Sequence, residues 1–341
     1  HKRITDALSD AGVTCYELPG VEPNPKVELV RKGIALCREN QIGCVLAVGG
    51  GSVIDTAKAV AIGVKYDGDV WDFYSKKAVP ETALPIGTVM TLPATGSEGS
   101  NGSVLKNPET GESADVMADC LRPSFTLMNP DLTLTIPKRQ TVFGIIDMFS
   151  HVLERYFSSS KDTYLTDYMC EGVMKSIIVN AQALMNDLKD YNSRAELMWT
   201  AIVAHNGLLA TGRNQDWATH TIGAQLSAQY NCVHGATLSV LFPNWARYVY
   251  KENLPRFVQF ANRVFGVEVD FYDQEKTALK GIEKLAEFFH SMGGPATLKD
   301  LGIETDEKFR KMAEDACRFG NIGGLKSLNA DDVEAIYRLA E

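Results

Sequence analysis

Over roughly the first 130 residues, short apolar runs alternate with amphipathic stretches of helical period. Residues 13–18 and 42–48 read as strands, with a helix predicted over 25–40 between them and another helix after Val48. Asn24-Pro25 is a good helix start, because Asn can cap free amides and Pro at the first helical position loses nothing by lacking its N–H. Further strands are expected at 84–92 and 124–128, the second closed by the turn Asn129-Pro130-Asp131. Such alternation predicts a parallel sheet covered by helices.

After Pro137 the period changes. Helical windows cover 137–157, 163–185, 193–211 and 216–229 and continue to Leu339, with few strand signals. The expected boundary therefore lies at Ile136–Pro137, giving an α/β domain over 1–136 and a helical domain over 137–341. Connections such as 106–113 read as short loops, and no internal repeat is visible.

The 341 residues, 45% of them hydrophobic, are enough for two buried cores. A balance of 34 basic against 43 acidic residues, net −9, argues against nucleic acid or an anionic membrane as partner. No apolar run reaches membrane-spanning length, and HKRITDALSD lacks the apolar core of a secretory signal. Cys15, Cys37, Cys44, Cys120, Cys170, Cys232 and Cys317 form no CxxC pair, so they read as reduced, mostly buried thiols of a cytoplasmic protein.

In AVGGGSVIDTAK, residues 47–58, an apolar strand runs through Gly49, Gly50 and Gly51 into a helix. Bare backbone and the first amides of a helix suit a phosphate, and Ser52 adds a hydroxyl donor. The spacing is neither GxGxxG nor that of a phosphate-binding loop ending in Gly-Lys-Ser/Thr, and a plain tight connection fits the triplet equally well. A second polar loop, TLPATGSEGSNGS over 91–103, follows the strand ending near Leu92; such loops at the carboxyl ends of parallel strands are where α/β folds bind ligands.

Asp147 and His151 lie one turn apart on a helix that is otherwise apolar, so both should be buried on one face. A buried carboxylate needs a cation or several donors. A local Asp–His hydrogen bond would satisfy it, and so would a metal. His220 falls within a helix and His234 stands beside Gly235 at the entry to the next helical run. One carboxylate and three imidazoles suit Zn²⁺ or Fe²⁺ with a position open for substrate. His1, His205 and His290 read as surface or satisfied core residues.

Together these motifs resemble the iron-containing (group III) alcohol dehydrogenase family, in its butanol dehydrogenase and broad aldehyde reductase branch. The resemblance rests on VEPNP (21–25), AVGGGSVIDTAKAVA (47–61), TLPATGSE (91–98), GIIDMFSHVLERYF (144–157) and DWATHTIGAQLSAQYNCVHGATLSVLFPNW (216–245). It implies a Rossmann-like N-terminal dinucleotide-binding domain and an all-helical C-terminal domain, in the dehydroquinate synthase-like architecture, assembled as a homodimer. It implies metal ligation by Asp147, His151, His220 and His234, with iron first and zinc next. It implies NAD or NADP held by Gly49, Gly50, Gly51, Ser52, Asp55, Thr91, Thr95, Ser97, Asn101 and Ser103. The substrate would be a small primary alcohol or aldehyde whose oxygen the metal polarises as a Lewis acid, and no side chain is assigned as a catalytic acid or base.

Three features depart from the family pattern. Relatives begin with another strand and glycine-rich turn, which this chain is expected to lack. Many carry Glu-His where Gly223-Ala224 stand, so proton transfer would run through water and hydroxyls. A cofactor-contacting lysine near Glu112 is not evident, with Lys106 the candidate substitute. A sugar-phosphate cyclase of the dehydroquinate synthase type is the rival reading, but the segments 147–155 and 215–240 carry little Lys or Arg for a phosphate. A non-catalytic metal- or nucleotide-binding protein is the third.

Overall fold

In the computed structural model, which describes residues 2–341, the chain divides into two compact units. One comprises the residues up to Thr91 with Ser97–Met128, the other Leu92–Gly96 with Asn129–Glu341.

The first unit contains α1 (Lys2–Asp10), α2 (Val27–Glu39), β1 (Val45–Gly49), α3 (Gly51–Val64), α4 (Trp71–Tyr74), β2 (Ile86–Met90), β3 (Gly102–Asn107), β4 (Glu112–Met117) and β5 (Phe125–Met128). Strands β1, β2 and β5 lie parallel in that order, with Val45 opposite Ile86 and Gly49 opposite Met90. All five residues of central β2 are buried, as a strand flanked on both edges and covered on both faces requires. Val27, Val30 and Ile34 recur at helical spacing on α2 and pack with Val60 and Ile62 of α3.

Three expectations need correction here. Asn24-Pro25 does not open α2, which starts at Val27 after Lys26 with no side-chain cap, and Asn24 takes a left-handed φ of 57°. Residues 13–18 form no strand: no described strand pairs with them, Val13 and Tyr16 are each 49% exposed, and an apolar run without a neighbouring ladder has nothing to hold it extended. Of the loop expected over 106–113 only 108–111 is a turn; its two ends belong to the hairpin β3–β4, paired from Gly102 opposite Met117 to Asn107 opposite Glu112. Helix α1, which buries no residue, was not read from the sequence.

The second unit is helical: α5 (Lys138–Tyr156), α6 (Tyr164–Asn186), α7 (Tyr191–His205), α8 (Ala218–Tyr230), α9 (His234–Val249), α10 (Leu254–Phe265), α11 (Gln274–Ser291), α12 (Phe309–Ala316) and α13 (Ala330–Leu339). The window expected over 193–211 breaks after His205, because Gly207 takes a positive φ of 98° and starts a short 3₁₀ turn. Helix α5 is buried almost throughout and packs against α6, α7 and α9. No helix among the described residues is long and apolar enough to cross a membrane. The seven cysteines are unpaired; against the expectation of mostly buried thiols, Cys15 and Cys44 are exposed and only Cys37, Cys170 and Cys232 are buried.

Candidate metal centre and cofactor loops

Asp147, His151 and Glu154 stand at i, i+4 and i+7 on α5, so they share one face of a buried helix. Opposite them, α8 supplies His220 from its first turn and α9 supplies His234 as its first residue. The close approach of α9 to α5 depends on Gly235, where an added Cβ would sit 2.1 Å from the Phe143 carbonyl oxygen.

Three imidazole nitrogens converge on one carboxylate oxygen. The Nε2 atoms of His151, His220 and His234 lie 3.8, 3.7 and 3.8 Å from Asp147 Oδ1. These distances are too long for hydrogen bonds. Donors that share a metal at about 2.0–2.2 Å stand roughly 3–4 Å apart, which is the spacing seen. Asp147 Oδ1 and His220 Nε2 are buried without a hydrogen-bond partner, the condition of donor atoms facing an ion. Asp147, His220 and His234 form the tightest set, their donor atoms mutually within 4.8 Å, and His151 meets the same oxygen from the next turn of α5.

The electrostatics of the imidazoles diverge. Burial works against the charge on His220, but Asp147 and Glu154 outweigh it and push the group up to about 9. Burial dominates for His234, which falls to about 4 despite Asp147. His151 is driven down by burial and then by the neighbouring His205 and His220.

Glu154, fully buried, was not singled out from the sequence, although its position on the Asp147–His151 face was readable. Its Oε1 lies 2.7 Å from His220 Nδ1 and accepts from His220 N and from the Thr219 hydroxyl, while Oε2 accepts from Trp217 N at 2.8 Å. Trp217 takes a left-handed φ of 65° at the start of α8 and places its ring 5.0 Å from that of His220. The Arg155 guanidinium covers the Trp217 ring. His205, expected at the surface or in a core, packs its ring 4.2 Å from that of His151. His290 is exposed, and His1 lies outside the described residues.

At the carboxyl edge of the parallel sheet, Gly49 ends β1, and Gly50, Gly51 and Ser52 lead into α3. Gly49 is packed beneath Val53, whose Cγ2 would lie 2.5 Å from a Cβ there. Thr91, just beyond β2, donates its N–H to the Gly49 carbonyl at 3.1 Å, so both loops start side by side. Asp55 lies further into the fold: its carboxylate accepts from the Ser97 hydroxyl at 2.6 Å and from Val104 N at 3.1 Å. Ser103 is buried, with its hydroxyl 2.7 Å from Tyr74 OH and donating to the Asp55 carbonyl. Asn101 donates to Asp119 at 3.2 Å. Thr95 belongs to the segment Leu92–Gly96 that clusters with the helical unit, where Gly96 (φ 65°) leaves no room for a Cβ beside the Ala201 carbonyl.

Residues 1–130 match the sequence profile described as "Iron-containing alcohol dehydrogenase", and residues 141–340 match "Fe-containing alcohol dehydrogenase family, C-terminal". The chain belongs to the iron-containing alcohol dehydrogenase family. Among curated relatives, the probable NADH-dependent butanol dehydrogenase 1 of Bacillus subtilis is 46% identical over 338 residues, covering 99% of this chain and 87% of the relative. The NADPH-dependent aldehyde reductase YqhD of Escherichia coli is 33% identical, over 89% of this chain and 78% of the relative. The crystal structure of NADH-dependent butanol dehydrogenase A from Thermotoga maritima superposes with a TM-score of 0.95 at 37% identity, covering 99% of this chain and 86% of that one. This iron-containing alcohol dehydrogenase is thus an NAD(P)-linked oxidoreductase of alcohols and aldehydes, with the family's Rossmann-like N-terminal and helical C-terminal domains.

Proposed function

We propose that the protein interconverts short primary aldehydes, butanal among them, and their alcohols with NADH as the preferred cofactor, and that Asp147, His151, His220 and His234 hold its divalent metal, iron first and zinc second. The observation that carries the ligand set is the convergence of three imidazole nitrogens on Asp147 Oδ1, at hydrogen-bond-excluding distance and with buried donor atoms left unpartnered. The preference for NADH and butanal is supported by the names of relatives 46% and 40% identical.

When bound, the metal supplies a Lewis acid for the substrate oxygen and the nicotinamide supplies or takes the hydride. The chain does the positioning. Asp147 brings one negative charge into an apolar helix face, where the attraction to a cation is strong. The apolar residues around the rest of α5, Phe143, Ile146 and Val152 among them, sink the helix into the core. The amide end of α3 after Gly49, Gly50 and Gly51, with the Ser52 hydroxyl, suits the cofactor's phosphates. Thr91, Thr95, Ser97, Asn101, Ser103 and Asp55 complete the proposed cofactor region. Because Gly223-Ala224 provide no imidazole, the proton travels through water and the hydroxyls of cofactor or substrate. An Ala224→His variant with a much faster rate and an altered pH profile would show that route to be inadequate.

The same proposal takes the chain to be a cytoplasmic homodimer with its domains divided at Ile136–Pro137. Cell fractionation tests the location, light scattering on the eluted protein the dimer, and separate expression of 137–341 the boundary. The central experiment reconstitutes the protein with Fe²⁺ or Zn²⁺ and follows NADH and NADPH oxidation across a short aldehyde series, for wild type and His234→Ala. Activity and bound metal are expected to vanish together in the variant; retention of both would refute the ligand assignment.

A further inference from the structure

We infer that Glu154 is the positioning residue that fixes which nitrogen of His220 faces the metal, an inference resting on the reading of Asp147, His151, His220 and His234 as ligands. The imidazole ring of a histidine presents two nitrogens, and a ligand must offer a bare lone pair on the right one. A carboxylate can only accept, so Glu154 Oε1 at 2.7 Å holds a proton on His220 Nδ1 and leaves Nε2 as the ligating atom. Nε2 has no protein partner and points at Asp147 Oδ1.

The carboxylate cannot easily turn away from this task. Its side chain is fully buried; Oε1 takes Thr219 Oγ1, His220 N and His220 Nδ1, and Oε2 takes Trp217 N. All four donors belong to the first turn of α8 or its entry, so Glu154 anchors that helix start to α5 and sets the ring in the same act. His151 provides the contrast within the site: its Nδ1 has no hydrogen-bond partner, so no protein acceptor selects its tautomer. The divergence explains why a glutamate, three residues after His151 on a face that carries Asp147, is kept at zero exposure in an apolar helix.

The test uses the full-length, metal-stripped protein. Zn²⁺ affinity is measured by chelator competition for wild type, Glu154→Gln, Glu154→Asp and Thr219→Val, and the histidine tautomers are read by ¹⁵N NMR of the labelled protein after Zn²⁺ is added back. The expected result is a proton on His220 Nδ1 in wild type and a 10–100-fold loss of Zn²⁺ affinity in either folded Glu154 variant. Thr219→Val, which removes one donor to the same carboxylate but leaves the ring contact, should stay within about threefold of wild type. A folded Glu154 variant that binds Zn²⁺ as wild type does, or a wild-type His220 with a bare Nδ1, overturns the inference. If neither Glu154 variant folds, the wild-type tautomer decides alone. Wild-type Zn²⁺ affinity in His234→Ala would instead overturn the ligand set itself, so the two failures are distinguishable.

Discussion

Each of the two units buries a polar cluster, and the two are finished differently. Around α3, Lys58 donates to the Ser100 carbonyl, the Ser100 hydroxyl and the Gly102 carbonyl at 2.9, 3.3 and 2.8 Å, while Asp55 is bonded to Ser97 and Val104. Opposite charges and hydroxyls there close on one another, and the loop after β2 is held in place. Around α5, Asp147 Oδ1, His151 Nδ1 and His220 Nε2 are buried and unpartnered. Because an unpaired buried polar atom costs about 1–3 kcal/mol, a fold tolerates several in one place only where something else completes them. The first cluster is braced by its own partners, as a scaffold is; the second, on the proposed ligand set, is a receptor for an ion. One atom blurs the division, since Glu98 Oε1 is also unpartnered and burial pushes that carboxyl up to about 7, where it is partly neutral.

The strongest way to break this contrast is Asp147→Asn. Metal affinity should fall by about 100-fold or more, read by chelator competition, while the apo form stays folded and melts within about 1–3 kcal/mol of wild type. An apo protein destabilised as much as any core variant would erase the distinction between receptor and scaffold. The opposite signature is expected for Lys58→Met: metal content unchanged, stability at neutral pH lower by about 3 kcal/mol because three acceptors are stranded.

The Lys58 pair also separates by pH. Burial lowers Lys58 to about 8 from its ordinary 10.5, so between these values the unfolded chain keeps a proton that the folded one has released. Stability of the wild type should therefore rise over pH 8 to 10.5, by an amount on the order of 3 kcal/mol relative to Lys58→Met. Parallel denaturation midpoints across that window would contradict the burial of a charged lysine. Ser97→Ala, which removes one donor to Asp55, should cost about 1 kcal/mol in urea denaturation and leave metal content intact. His290→Gln, at an exposed histidine, should change neither stability nor bound metal; lost metal there would mean a second site.

Periodicity made most of the second unit legible, since α5, α6 and α9 carry long stretches of helical period that survive end effects of a few residues. The spacing of Asp147 and His151 announced a shared face, and Glu154 three residues later announced it again, but a glutamate reads as an ordinary surface residue until its neighbours are known. His205 could not have been placed beside His151, because they sit on different helices that only packing brings together. Failures in the first unit have another cause. The run 13–18 looked like a strand by composition alone, yet strand identity belongs to a pair, and β3 and β4 formed where glycine, serine and charged residues masked the alternation. Hydroxyls in the loop after β2 were equally ambiguous: sequence shows that Ser97 and Ser103 can donate, whereas only the fold shows Asp55 and Tyr74 beside them.

For the evolution or redesign of this chain, Gly235 sets a limit on how freely the surroundings of the cluster can drift. A methyl group there would begin 2.1 Å from a main-chain oxygen that cannot rotate aside, so α9 has to back away from α5 and carry His234 with it. A library that spares Asp147 and all three imidazoles but randomises position 235 should still lose bound metal in nearly every clone. On the proposed ligand set, glycine and ligand stand or fall as a single unit, and the tolerance of the site to mutation is narrower than a count of its donor atoms would suggest.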